Sequence, residues 1–99
     1  MAFTVGLETF EWDEAKRALV LEKHGIDLVD AVSIFDGPTL IAKSDRRDES
    51  RWLAIGLLGE IEIAVVFTMR GNACRLISAR RARRHEREEY HARHPGSGA

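Results

Sequence analysis

The chain has 99 residues, 44% of them hydrophobic and 31% charged, with a formal net charge of −1. That size fits one compact domain, and that composition is too apolar for a disordered tail. No apolar run nears the roughly 20 residues that cross a bilayer, no basic-then-apolar leader opens the chain, and the lone Cys74 excludes an internal disulfide and a zinc ribbon. The expectation is a single cytoplasmic domain over 1–94 with a flexible tail over 95–99.

Phe10-Glu11-Trp12 alternates and predicts a short first strand. Asp13 reads as the N-cap of a helix reaching about His24, with Glu14 in its first turn and Gly25 as its left-handed C-cap. On that helix Ala15, Ala18, Leu19 and the aliphatic stem of Glu22 share one side, and Lys16, Val20 and Lys23 share another. Asp27 predicts a second cap, with Asp30 where a capping-box glutamate would sit. That second helix is expected to end near Phe35, before the breaker Asp36-Gly37-Pro38. A strand follows over 39–42, then a polar turn over 44–50. Asp45, Asp48 and Glu49, interleaved with Arg46, Arg47 and the Arg51 that follows the turn, read as a solvated hairpin tip.

Residues 52–58 predict a strand, Gly59-Glu60 a tight connection, and Ile61, Ile63, Val65 and Phe67 one face of the next strand. Arg70-Gly71-Asn72 turns the chain. Cys74, Leu76 and Ser78 then alternate with Arg75, Ile77 and Ala79. A closing helix over 82–91 carries one stripe of Ala82, Glu86 and Tyr90. The order predicts an α+β domain: two N-terminal helices, an antiparallel sheet of about four strands paired as hairpins, and a C-terminal helix. All helices are expected on one face or edge of the sheet.

The near-neutral total hides an asymmetry. Residues 1–49 carry a net −5 and residues 50–99 a net +4, with eight arginines against three glutamates between Arg70 and Arg93. Every Lys or Arg after Lys43 is arginine, whose planar fork grips phosphate at two points. Arg51 opens a strand, Arg70 ends the next and Arg80 ends the one after. Adjacent antiparallel strands can gather such positions into a clamp for a phosphate and its developing charge. The competing reading is ordinary surface pairing with Glu60, Glu62 or Glu86. Lys23 and His24 suit the negative end of a helix on their own account, but histidine is also the commonest general acid or base near neutral pH. Tyr90 reads as a packing anchor or a catalytic phenol. His24, His85, His91 and His94 make no zinc spacing, and Cys74 reads as a small buried residue. The glycines Gly56, Gly59 and Gly71 are isolated and form no phosphate loop. These residues alone indicate a domain that binds phosphate.

Several segments together add a resemblance. Phe10-Glu-Trp-Asp-Glu-Ala-Lys16, Glu22-Lys-His-Gly25, Asp30-Ala31 and Phe35-Asp36 come first. Arg51-Trp-Leu-Ala-Ile-Gly56, Val66-Phe-Thr-Met-Arg-Gly71, Arg75-Leu-Ile-Ser-Ala-Arg-Arg-Ala82 and Glu86-Arg-Glu-Glu-Tyr90 follow. Over residues 10–90 the chain resembles the BrnT family of bacterial type II toxins. It departs from the family at Val20, where Asn is frequent, and at Met69, where a charged residue is common.

The resemblance implies a compact RelE-like fold and an endoribonuclease that arrests translation without a metal or other cofactor. It implies RNA cleavage by attack of the 2′-OH on the adjacent phosphorus. Arg70 and Arg80 would neutralise the phosphorane, and Lys23, His24, Glu86 or Tyr90 would move protons. Lys16, Arg51, Arg75, Arg81, Arg83 and Arg84 would hold RNA phosphates. The implied partner is a BrnA-type antitoxin, in a two-plus-two complex on operator DNA, and the toxin alone could form a homodimer. A non-catalytic nucleic-acid-binding module using the arginine-rich end is the alternative.

Overall fold

The computed structural model describes residues 9–43 and 50–95. The expected solvated tip at Asp45, Arg46, Arg47, Asp48 and Glu49 lies outside the described residues, as do the first eight residues and all of the tail after Pro95. In chain order the elements are β1 (Thr9–Glu11), α1 (Glu14–His24), α2 (Leu28–Ala31), a 3-10 turn (Val32–Asp36), β2 (Leu40–Lys43), β3 (Trp52–Leu58), β4 (Ile61–Arg70), β5 (Ala73–Arg81) and α3 (Arg84–Arg93).

The caps form where the side chains dictate. Asp13 accepts from the backbone N–H groups of Ala15 and Lys16 at 2.8 and 3.3 Å, and Gly25 ends α1 at φ 71°. Asp27 caps α2 through Val29 N–H, at 3.0 Å, and also takes a two-point contact from Arg17. That contact holds the Asp27 carboxyl below its ordinary pKa and pins α1 to α2. Asp30 stays exposed, and its carbonyl accepts from Ser33 Oγ. The expected second helix is therefore one α-turn that tightens into 3-10 geometry before Gly37.

The sheet has five strands in the order β1-β5-β4-β3-β2, rather than about four. β2, β3, β4 and β5 are antiparallel neighbours, as expected, but β1 pairs in parallel with β5, aligning Glu11 with Arg75. Three residues cannot close a hairpin with a strand more than 60 positions away. β1 reaches the edge of β5 only because α1, α2 and the first three antiparallel strands lie between them in sequence. A second difference lies in β5. The register slips between Val66 and Phe67, from Val66↔Ser78 to Phe67↔Leu76, so that Ile77 is an extra residue. The alternation expected through Ser78 breaks there, and Ala79 joins Cys74 and Leu76 in the core.

The helices do not share one face. Ile63, Val65 and Phe67 of β4, with Ala54 of β3, pack against Val20, Ile26, Leu28, Ala31, Ile34 and Phe35. The intervening Ile55 and Ala64 pack against Ala82 and Tyr90. Because successive strand residues point to opposite faces, α1 and α2 cover one face and α3 the other. Ile61, expected on the core face, is 42% exposed at the strand's outer end. Gly56 has a packing role: a Cβ there would sit 2.9 Å from Ile34 Cβ and 3.3 Å from Thr39 Cγ2, so its absence lets the 3-10 turn lie on β3. Among the described residues no helix is long and apolar enough to cross a membrane.

Candidate active site

Antiparallel pairing gathers cations at one end of the sheet. Arg51 directly precedes β3, Arg70 closes β4, and Arg75 lies near the start of β5. Thr68 is the register partner of Arg75, and its Oγ1 donates to Ser50 O at 2.7 Å, tying the entrance of β3 to β4. Lys16 arrives from the first turn of α1, which Asp13 starts immediately beyond β1. These side chains line one cavity of about 140 Å³ whose wall is Asp13, Lys16, Arg51, Thr68, Arg70, Arg75, Leu76 and Ile77.

The charge in this cavity is compensated only in part. Asp13, its only wall carboxylate, already caps α1. Arg75 donates to Glu11 at 2.8 Å. Among the described residues neither Arg70 nor Lys16 makes an ion pair through its side chain. Three cations at the ends of three neighbouring strands and one from a helix thus line one cavity. Such an arrangement has the chemistry to hold a phosphodiester and to lower the energy of extra negative charge on it.

A second cavity, of about 480 Å³, lies between α1 and β5. Its wall is Leu19, Val20, Glu22, Lys23, His24 and Ser78. Leu76 and Ile77 line the first cavity and Ser78, the next residue, lines this one. Lys23 and His24 therefore line a cavity whose β5 residue directly follows those of the cationic one.

The remaining candidates lie elsewhere. Arg80 pairs in register with Ala64, five residues along β5 from Arg75, or about 16 Å at strand rise. Its guanidinium makes a two-point contact with Glu86, 2.8 and 2.9 Å, and Glu86 also accepts from Arg83 N–H at 2.7 Å. Arg80 holds the Glu86 carboxyl below the usual glutamate range, against the opposing effect of burial. Tyr90 is fully buried, and its hydroxyl donates to Pro38 O at 3.0 Å. Arg81, Arg83 and Arg84 are exposed, Arg84 against Glu88 at 3.1 Å. Arg75, rather than Arg80, completes the three-strand cluster with Arg51 and Arg70. Burial pushes the Cys74 thiol up to about 12, as suits a core residue. Among the described residues no three His, Cys, Asp or Glu side chains cluster as metal ligands.

Thr68 and Ser78 escape a reading by sequence. Thr68 stands two residues before Arg70 on one strand face, a usable signal. Ser78 offers none, because the bulge at Ile77 resets which side chains share a face.

A family model described as "Ribonuclease toxin, BrnT, of type II toxin-antitoxin system" matches residues 12–86. This chain belongs to the BrnT family. The matched span holds α1, all of β2 to β5, and every residue lining the two cavities. The 1.1 Å crystal structure of the Brucella abortus ribonuclease toxin BrnT is similar, at 34% identity and a TM-score of 0.59. That likeness covers 77% of this chain and 97% of the Brucella chain. No curated protein matches. As a member of a type II toxin family, this chain has an antitoxin as its implied partner.

Proposed function

We propose that this BrnT-family chain is a metal-independent endoribonuclease that inhibits translation, with its reacting phosphate held in the cavity lined by Arg51, Arg70, Arg75 and Lys16. The observation that carries this reading is the convergence of four cations, two of them without a carboxylate partner among the described residues, on one cavity. The 2′ oxygen of the RNA attacks the adjacent phosphorus and the bond from phosphorus to the 5′ oxygen breaks. One proton leaves the 2′-OH and one is delivered to the 5′ oxygen, giving a 2′,3′-cyclic phosphate and a 5′-OH. The guanidinium groups stabilise the phosphorane charge. His24, in the adjoining cavity with Lys23, is the side chain suited to the proton transfers.

The test is cleavage of a short RNA in excess chelator. Expected are a cyclic phosphate product, unchanged rates with EDTA, and no cleavage when deoxyribose replaces ribose at the reacting position. Cleavage that stops with EDTA, or that proceeds on the deoxy substrate, rejects the mechanism. A non-catalytic binding module instead predicts RNA binding with no product at all, and graded weakening from each arginine lost.

The proposed partner is a BrnA-type antitoxin that covers the cationic surface with an acidic or amphipathic segment, in a two-plus-two complex on operator DNA. Opposite charges would speed association and make it sensitive to salt. A strictly one-to-one complex whose association rate ignores salt argues against both parts.

A further inference from the structure

The second cavity differs in chemistry from the first. Leu19 and Val20 give it an apolar wall, and Glu22, Lys23, His24 and Ser78 give it a carboxylate, an ammonium, an imidazole and a hydroxyl. A purine or pyrimidine has the matching character, with apolar faces and a rim of donors and acceptors. Leu19 is 63% exposed although it is a large apolar side chain, so nothing else in the described fold covers it. Lys16, Leu19, Val20 and Lys23 fall at i, i+3, i+4 and i+7 on α1, one stripe about 10 Å long. That stripe runs from the cationic cavity into the mixed one. A nucleotide whose phosphate sits among Arg51, Arg70 and Arg75 therefore has a base within reach of the second cavity.

Resting on the reading of the first cavity as the phosphate site, we infer that the second cavity is a nucleobase subsite of single-stranded RNA, and that Glu22 selects bases bearing an exocyclic amino group. Leu19 and Val20 take the face of the base. The Glu22 carboxylate makes no ion pair among the described residues, and it accepts from an amino group such as that of cytosine. Uracil presents a carbonyl at that position and is disfavoured. Charge complementarity of the adjoining cavity with a phosphate, together with an apolar wall rimmed by donors and acceptors, commits the second cavity to the base of that nucleotide.

The experiment measures binding of three fluorescent 2′-O-methyl RNA hexamers, which bind but cannot be cleaved: all-cytosine, all-uracil and abasic. Wild type is expected to bind the cytosine probe about tenfold tighter than the abasic one, with uracil between. Leu19→Ala is expected to lose most of that tenfold on cytosine and nothing on the abasic probe. Glu22→Gln is expected to erase the preference for cytosine over uracil. Both residues are exposed on α1, and circular dichroism checks that each variant stays folded. Equal binding of all probes by wild type, or equal weakening of all probes by Leu19→Ala, overturns the subsite. Arg70→Ala weakening the abasic probe in that same data set leaves the phosphate site standing. No binding of any probe overturns both. A Leu19→Ala variant that binds RNA like wild type but escapes its co-expressed antitoxin gives the cavity to a protein segment and overturns the subsite.

Discussion

Two regions of this molecule are rich in arginine, and they use it differently. Where β5 runs into α3, Arg80, Arg84 and Arg87 spend their donors on Glu86, Glu88 and the Ala82 carbonyl. At the opposite end of β5, Arg70 and Lys16, neither of which makes an ion pair among the described residues, line a cavity with Arg51 and with Arg75, which pairs with Glu11. The first arrangement fastens a helix to a sheet. The second leaves charge available to a ligand. Density of arginine in sequence cannot separate these cases, because each depends on where the carboxylates stand in space.

The strongest test of that contrast is activity. Arg70→Ala is expected to lower RNA cleavage about 10² to 10³-fold, the typical loss for one preorganised charge contact, with stability changed by about 0.5 kcal/mol or less. Single-turnover cleavage and a thermal melt on the same sample check both halves.

Removing Arg80 should act in the opposite sense. Glu86 is 6% exposed, so Arg80→Ala strands a buried carboxylate, and a loss of about 3 kcal/mol is expected in denaturant unfolding. An unchanged midpoint would mean that the pair does not hold α3 on the sheet.

Packing supplies a smaller effect. Gly56→Ala places a methyl 2.9 Å from Ile34 Cβ, and overpacking of this kind costs about 1–3 kcal/mol. Tyr90→Phe deletes only the bond to Pro38 O, with a loss of about 1 kcal/mol expected in the same assay.

Acid should dissolve the fastening region first. Arg80 lowers the pKa of Glu86, and His91, 2.6 Å away, lowers that of Glu62. Each folded carboxyl titrates below its unfolded value, so its contribution is complete above the ordinary glutamate pKa of 4.5 and is lost as pH falls through the folded value. Melting temperature should hold level, as far as these two groups decide it, down to about pH 4.5 and drop below it. Glu86→Gln should flatten the drop. At the small end, Arg93→Ala removes an exposed i,i+4 contact with Glu89 and should cost only about 0.3–0.5 kcal/mol.

Much of this protein is decided locally. Asp13 and Asp27 cap their helices, Gly25 ends α1 in the left-handed region, and Gly59 and Gly71 turn the antiparallel strands, because each effect acts within a few residues. The stretch Trp52–Leu58 needs only its β-forming composition. The ordered segments that resemble the BrnT family are likewise a property of the sequence, and the family match over 12–86 bears out the resemblance.

Tertiary structure alone decided the rest. The parallel place of β1, the split of helices over two faces, and the bulge at Ile77 depend on contacts between residues far apart in sequence. The same holds for the cations. Arg51, Arg70 and Arg80 open or close strands, but strand direction and register put Arg75 with the first two and leave Arg80 facing Glu86. A charge becomes a site or a fastening according to its neighbours in space, and pairing register sets those neighbours.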